Sequence, residues 1–203
     1  MQNSPHLQAV PVASSPAQVE ASESLLDRHV EGLSDSIAQA CLGEADLVPY
    51  RVRQALNHSL DTKTTDCLVE QVLALPHSNQ TYTRHVLHAD PAGMFTVVAL
   101  RWDVNQASPV HAHYTWCAYK VLRGELTESH FEWDRSVEQA YLFNRVARPA
   151  GQSVCGHGGM DFIHRLGNEK EQIAVSIHVY GIDSARISSH VNRKLAVKLE
   201  VEA

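Results

Sequence analysis

No two of the four cysteines form a C-x-x-C pair; Cys41, Cys67, Cys117 and Cys155 lie far apart in a chain of 203 residues. That spacing excludes a disulfide scaffold and a structural zinc cluster, and a reducing, cytoplasmic setting is the expectation. Positive charge is also scarce. Lys and Arg number 17 against 23 Asp and Glu, a net charge of -6, which leaves no electrostatic footprint for nucleic acid. No apolar run has the length of a membrane-spanning helix. The opening stretch MQNSPHLQAVPVASSPAQVEAS has neither the basic start nor the apolar centre of a secretory signal. The expected partners are therefore small molecules, not nucleic acid or membrane, for a monomer or small homo-oligomer. What the chain does have in quantity is histidine, thirteen in all.

Residues 1 to 22 are rich in Ser, Pro, Ala and Gln without periodicity and are expected to form a disordered tail. A single domain is expected over 23–203. Three helices fill its first part, to residue 76: ESLLDRHVEGLSDSIAQACLG, with Gly43 as C-cap; EADLVPYRVRQALNHSL, with Pro49 in or just before its first turn; and TTDCLVEQVLALP, stopped by Pro76. Beyond Pro76 the segments YTRHVLHAD, MFTVVALRWD, WCAYKVLRG, ELTESHFEWD, EQAYLFNRVARP, DFIHRL and IAVSIHVYG recur about every ten residues, divided by Asp, Gly, Pro and Asn. RKLAVKLEV reads as a last strand or a terminal helix. The expected fold class is mainly β: an antiparallel jelly-roll barrel with a small N-terminal helical portion.

Within PVHAHYTWCAYKVLRG, His111 and His113 are two apart, and in a strand that spacing projects both rings to one face. Neutral imidazole is the commonest side-chain ligand for a transition metal. His164 falls in a later predicted strand, in HRLGN. In AVSIHVYG, alternation places Ser176, His178 and Tyr180 on one face and Ile177 and Val179 on the other. Such a row is either the wet side of a strand or, in a barrel interior, a hydrogen-bond relay from Ser to His to the Tyr hydroxyl.

The combination of H-x-H, Cys117, Gly124 and H-x-x-x-N resembles the two-part signature of the cupin superfamily. Cys117 stands where a fourth, glutamate ligand is usual. With S-x-H-x-Y added, the chain resembles the thiol dioxygenases of the cysteine dioxygenase family over roughly residues 80 to 181. The resemblance implies a cupin barrel, Fe(II) held by His111, His113 and His164, and a relay of Ser176, His178 and Tyr180. It implies that Arg84, with Tyr82 beside it, holds a substrate carboxylate. It implies conversion of a small thiol and O2 to a sulfinic acid, with L-cysteine, 3-mercaptopropionate or mercaptosuccinate as the thiol. Zn, Ni and Mn are compatible with the same ligands. Cys117 occupies the position where some members carry a thioether to the relay tyrosine, so a Cys117–Tyr180 crosslink is implied. Arg186 lies near the place of an additional arginine in related bacterial enzymes. The chain mixes subgroups: YTWC is similar to members that favour 3-mercaptopropionate, which tend to carry Gln where this chain has Arg84. A metal- or ligand-binding cupin without enzymatic activity is the alternative of another class.

Overall fold

The computed structural model describes residues 16–198, with side chains from residue 28 onward. Three helices come first: α1 (Pro16–Ala40), α2 (Val48–Ser59) and α3 (Thr62–Ala74). Ten strands follow: β1 (Thr83–Ala89), β2 (Thr96–Trp102), β3 (His111–His113), β4 (Cys117–Arg123), β5 (Glu125–Asp134), β6 (Gln139–Pro149), β7 (Ser153–Gly156), β8 (Gly159–Gly167), β9 (Ala174–Tyr180) and β10 (Asn192–Lys194). The strands make two five-stranded antiparallel sheets, in the orders β1-β2-β9-β4-β7 and β10-β3-β8-β5-β6. The expected jelly-roll barrel with a helical N-terminal portion is what forms.

Differences from the sequence reading lie at the edges of elements and in two short strands, β3 and β7, that fall outside the expected segments. α1 begins at Pro16, not near residue 23, because Pro is well suited to a first helical position and Ala, Gln and Glu follow it. The remainder of the expected tail, residues 1–15, lies outside the described residues. Pro49 sits in the first turn of α2 as read. Asp61 caps α3, accepting from Thr64 N at 2.8 Å. The expected strand WCAYKVLRG forms as β4, while His111 and His113 lie on β3, in the other sheet. RKLAVKLEV contributes the end of β10 and a bridge from Val197 to Ala140; its last residues lie outside the described ones.

Strands β2 and β9 are buried along their whole length, and β4 in all but its last residue, because this sheet is covered on both faces. Val97, Ala99, Ala118, Leu122, Val175, Ile177 and Val179 pack against Leu33, Ile37, Val52, Leu56, Leu68 and Val72 of the helices. The alternate residues Val98, Leu100, Trp102, Cys117, Tyr119, Val121 and Tyr180 face the barrel interior. Two cations of the sheet hold the helix ends. Lys120 Nζ donates to Leu60 O at 3.0 Å and Leu56 O at 3.5 Å, and Arg101 Nη1 donates to Leu73 O at 3.0 Å. Gly124 turns β4 into β5 at φ +73, and a Cβ there would meet the Ala174 backbone at 3.1 Å. No helix among the described residues is long and apolar enough to cross a membrane.

Candidate metal centre

Strand β3 carries His111 and His113 on its barrel face and Ala112 on the other, where it joins a separate apolar cluster. His164 comes from the neighbouring β8, whose register sets it opposite His111. All three rings are buried, at 4%, 4% and 2% exposure, and their ligand atoms lie within 4.8 Å of one another. Ring centroids are 4.7 to 5.1 Å apart. His113 Nε2 and His164 Nε2 are 3.0 Å apart, the separation of two nitrogens that share an ion at right angles from about 2.1 Å each.

The outer nitrogens settle which atoms face inward. His111 Nδ1 donates to Pro109 O at 2.9 Å, and His164 Nδ1 donates to Glu128 Oε1 at 2.7 Å. Each proton is thereby fixed on Nδ1, and each Nε2 lone pair is free. Burial, with neighbouring imidazoles next, pushes His111 down to about 3 and His113 well below the usual imidazole range. Neutral rings are the form a metal requires. The residues therefore fit a transition-metal ion held by His111, His113 and His164 with an open side.

Beside this triad runs the row expected from β9. Ser176 Oγ is 2.9 Å from His178 Nε2, and His178 Nδ1 is 3.3 Å from the Tyr180 hydroxyl. The row faces the barrel interior, with all three side chains buried. Trp102, which the sequence reading did not single out, extends the row by one donor. Its Nε1 can only donate, and it donates to Ser176 Oγ at 2.9 Å. When Ser176 donates its own proton to His178 Nε2, the His178 Nδ1 proton goes to the Tyr180 oxygen and the Tyr180 proton points onward. Burial, and Cys117 after it, holds the Tyr180 phenol well above its ordinary value, so that proton stays on oxygen. The Tyr180 ring lies 5.8 Å from that of His113.

Access is from one side. A cavity of about 370 Å3 is lined by Tyr82, Arg84, Pro109, Ile187, Asn192 and Lys194, among others. Tyr82 and Asn192 also line the inner space of about 10 Å3 bounded by the three ligands, His178 and Tyr180. Arg84 is anchored by donation from Nη1 to Ile187 O at 2.9 Å, while its buried Nε has no partner. Tyr82 stacks on Trp102 at 4.5 Å. Arg186 is exposed in the short turn Ser184–Arg186, and the residue that lines the cavity from this turn's end is the buried Ile187. Lys194 is the second cation at the mouth. Asn168 of the H-x-x-x-N pattern is structural, donating to Trp102 O and Gln172 O.

Cys117 is buried directly across from Tyr180 in the β4–β9 ladder. Burial, then the nearby Glu128 charge, raises its thiol far above the ordinary range. Glu128 itself is fully buried. Burial alone would raise its carboxyl, but the rings of His130 and His164 and the Arg148 guanidinium hold it well below the usual range. Glu128 was also absent from the sequence reading. Its signal was a carboxylate on the face of β5 that Leu126 gives to the core.

A jelly-roll barrel with three convergent imidazoles and an adjoining hydroxyl relay defines a cupin-type metal centre. The chain matches the family described as Cysteine dioxygenase type I over residues 54–191, well over half of its length; it belongs to that family. Cysteine dioxygenase type 1 of Danio rerio is 32% identical over 108 residues, which are 49% of this chain and 50% of the relative. The chain thus matches about half the length of that curated relative. Among solved structures, it is similar to a cupin superfamily protein from Desulfitobacterium hafniense DCB-2, with TM-score 0.40, 9% identity and coverage of 54% of this chain and 84% of that one. It is also similar to the Cnp3 cupin domain of Schizosaccharomyces pombe, with TM-score 0.42, 8% identity and coverage of 57% and 70%.

Proposed function

We propose that the protein is an Fe(II)-dependent thiol dioxygenase acting on a small thiol that carries a carboxylate, L-cysteine first, with cysteine sulfinate as product. The observation that carries this reading is that Arg84, whose buried Nε has no partner, lines the outer cavity, and that Tyr82 and Asn192 line both that cavity and the inner space where the triad and Tyr180 meet. The reaction joins one thiol to one O2, both oxygen atoms ending on sulfur, so no other reductant or oxidant is needed. Iron, when bound by His111, His113 and His164, supplies the electron chemistry that activates dioxygen. The remaining tasks belong to the chain. Arg84 binds and orients the carboxylate through a rigid, permanently charged fork. Tyr180 directs a proton at the reacting atoms, and Trp102, Ser176 and His178 keep it so directed. The narrow inner space excludes bulk water.

Among the described residues no acidic side chain lines the mouth, so none of them offers the amine of cysteine a carboxylate partner there. Lys194 beside Arg84 favours, as a second reading, a thiol with two carboxylates such as mercaptosuccinate; 3-mercaptopropionate would use Arg84 alone. We also infer a Cys117–Tyr180 thioether: a carbon–sulfur bond replaces S–H and ring C–H, and two electrons and two protons pass to O2. Tryptic mapping would show the joined peptides two hydrogens lighter than their sum, and a freely alkylated Cys117 would refute the link.

The test is oxygen consumption by Fe(II)-loaded protein with cysteine, 3-mercaptopropionate, mercaptosuccinate and cysteamine, with sulfinate followed by mass spectrometry. One O2 consumed per carboxylate-bearing thiol supports the reading. Stoichiometric metal with no thiol-dependent uptake would leave a binding cupin without enzymatic activity.

A further inference from the structure

The ligand set is three neutral imidazoles, and the place of the usual glutamate ligand holds Cys117, so the first shell carries no negative charge. A carboxylate is nevertheless present one shell out. Glu128, on β5, is fully buried, and three side chains meet its two oxygens. Oε1 accepts from His164 Nδ1 at 2.7 Å. Oε2 accepts from Arg148 Nε at 2.8 Å and lies 2.7 Å from Arg148 Nη2. His130 Nε2 stands 3.3 Å from Oε2. Arg148 reaches inward from β6, which pairs with β5. The line metal site–His164–Glu128–Arg148 therefore crosses from the barrel centre to its wall.

We propose that Glu128 is the positioning residue of the metal centre: its carboxylate fixes the tautomer and ring orientation of His164 and supplies the negative charge that the ligands lack, while Arg148 sets how much of that charge reaches the ring. This rests on the metal-centre reading and is independent of which thiol, if any, is oxidised. The physical reason is that a carboxylate on the far nitrogen makes an imidazole a stronger, more anionic donor, and loss of such a partner typically weakens metal binding about 10–100-fold. The carboxylate also favours the more highly charged ion. Arg148, a fixed cation on the other oxygen, draws electron density away from His164.

A buried ion pair that only braced β5 against β6 would have the same contacts but a different signature. Glu128→Gln and Arg148→Met each break the pair. In the bracing role they act alike, lowering thermal stability and leaving the site's electronics alone. In the positioning role they act in opposite directions on the metal. The experiment uses the full chain and reads Zn(II) affinity by chelator competition, then the Fe(III)/Fe(II) midpoint potential of iron-loaded protein. Expected are affinity lower by 10- to 100-fold and a higher potential for Glu128→Gln, and a lower potential for Arg148→Met. Glu128→Asp keeps the charge but withdraws it by one methylene. It should fall between wild type and Glu128→Gln, and it serves in place of Glu128→Gln if that variant does not fold. Unchanged affinity and potential in the Glu128 variants, or a shift of the same sign in the Glu128 and Arg148 variants, overturns the proposal. Failure of wild-type protein to bind one metal per chain would instead remove the metal-centre reading itself.

Discussion

At the scale of single residues, the centre works by restricting where protons sit. Trp102 lacks an acceptor, so it occupies one lone pair of Ser176 and leaves the serine proton for His178, the order in which the Tyr180 proton points onward. Trp102→Phe keeps the aromatic surface that Tyr82 stacks on but leaves Ser176 free to reverse. We expect kcat to fall about 10-fold, part of the ~10²–10⁴ range of positioned proton donors, with metal content and KM unchanged. Combined with Tyr180→Phe it should add almost nothing, because both act on one proton; steady-state kinetics of the three variants would decide, and multiplicative losses would refute the shared path. Arg84→Met removes a charge-assisted contact worth about 1.5–3 kcal/mol, so KM for 3-mercaptopropionate should rise roughly 10- to 100-fold with kcat nearly intact. Cysteamine, without a carboxylate, is the control: an equal loss on both thiols would show that Arg84 does not bind the carboxylate. His111, His113, Ser176, His178 and Tyr180 were legible because a period of two fixes a shared face from a few neighbouring letters. Trp102 was not, since its partner is 74 residues away, and only the β2–β9 register brings the two together.

At the scale of elements, the barrel and helices are joined by cations at helix C-termini, where carbonyls lack internal partners and negative dipole ends collect. Lys120 points from β4 to the end of α2, and Arg101 from β2 to the end of α3. In the sequence, Lys120 breaks the apolar run CAYKVL, and nothing local says that it is buried. Lys120→Met keeps the length of the side chain but strands the Leu60 carbonyl. We expect a loss of about 1–3 kcal/mol, measured as a lower urea midpoint, with activity per bound metal unchanged. An unaltered midpoint would show that water satisfies the helix end. The expected strands formed, yet the stretch from His111 to Arg123 holds two strands in different sheets. Between its halves Tyr114 N donates to Val191 O, Thr115 Oγ1 to Gly181 O, and Gly181 N to Trp116 O. Those bonds go to loops from distant parts of the chain, so the crossing from one sheet to the other leaves no mark in local composition. Gly158 lies against this crossing, with room for no Cβ: one would come within 3.0 Å of the Tyr114 and Thr115 backbone.

At the scale of the whole molecule, the barrel keeps its polar inner face dry by closing its two sheets over it, and this has a cost in acid. Composition and strand spacing made the barrel legible; they do not say which face is dry, because a row such as Ser176, His178 and Tyr180 reads equally as a solvated edge. Burial, followed by the charge of neighbouring groups, holds His111 down to about 3 and both His113 and His178 well below their ordinary value. In the unfolded chain these rings titrate near pH ~6.5. Between that pH and about 3 the unfolded state binds protons that the folded state refuses, so stability falls as pH falls through this window. Each ring contributes up to ~1.4 kcal/mol per pH unit. For metal-free protein taken from pH ~7.5 to ~5.5, the three together should remove roughly 4 kcal/mol. Urea unfolding at the two pH values measures the difference, and His178→Gln, which deletes one of the three rings, should reduce it by about a third. A midpoint that stays level or rises on acidification would mean that water reaches the inner face, and the site would lose the dry surroundings on which its neutral ligands and directed tyrosine proton depend.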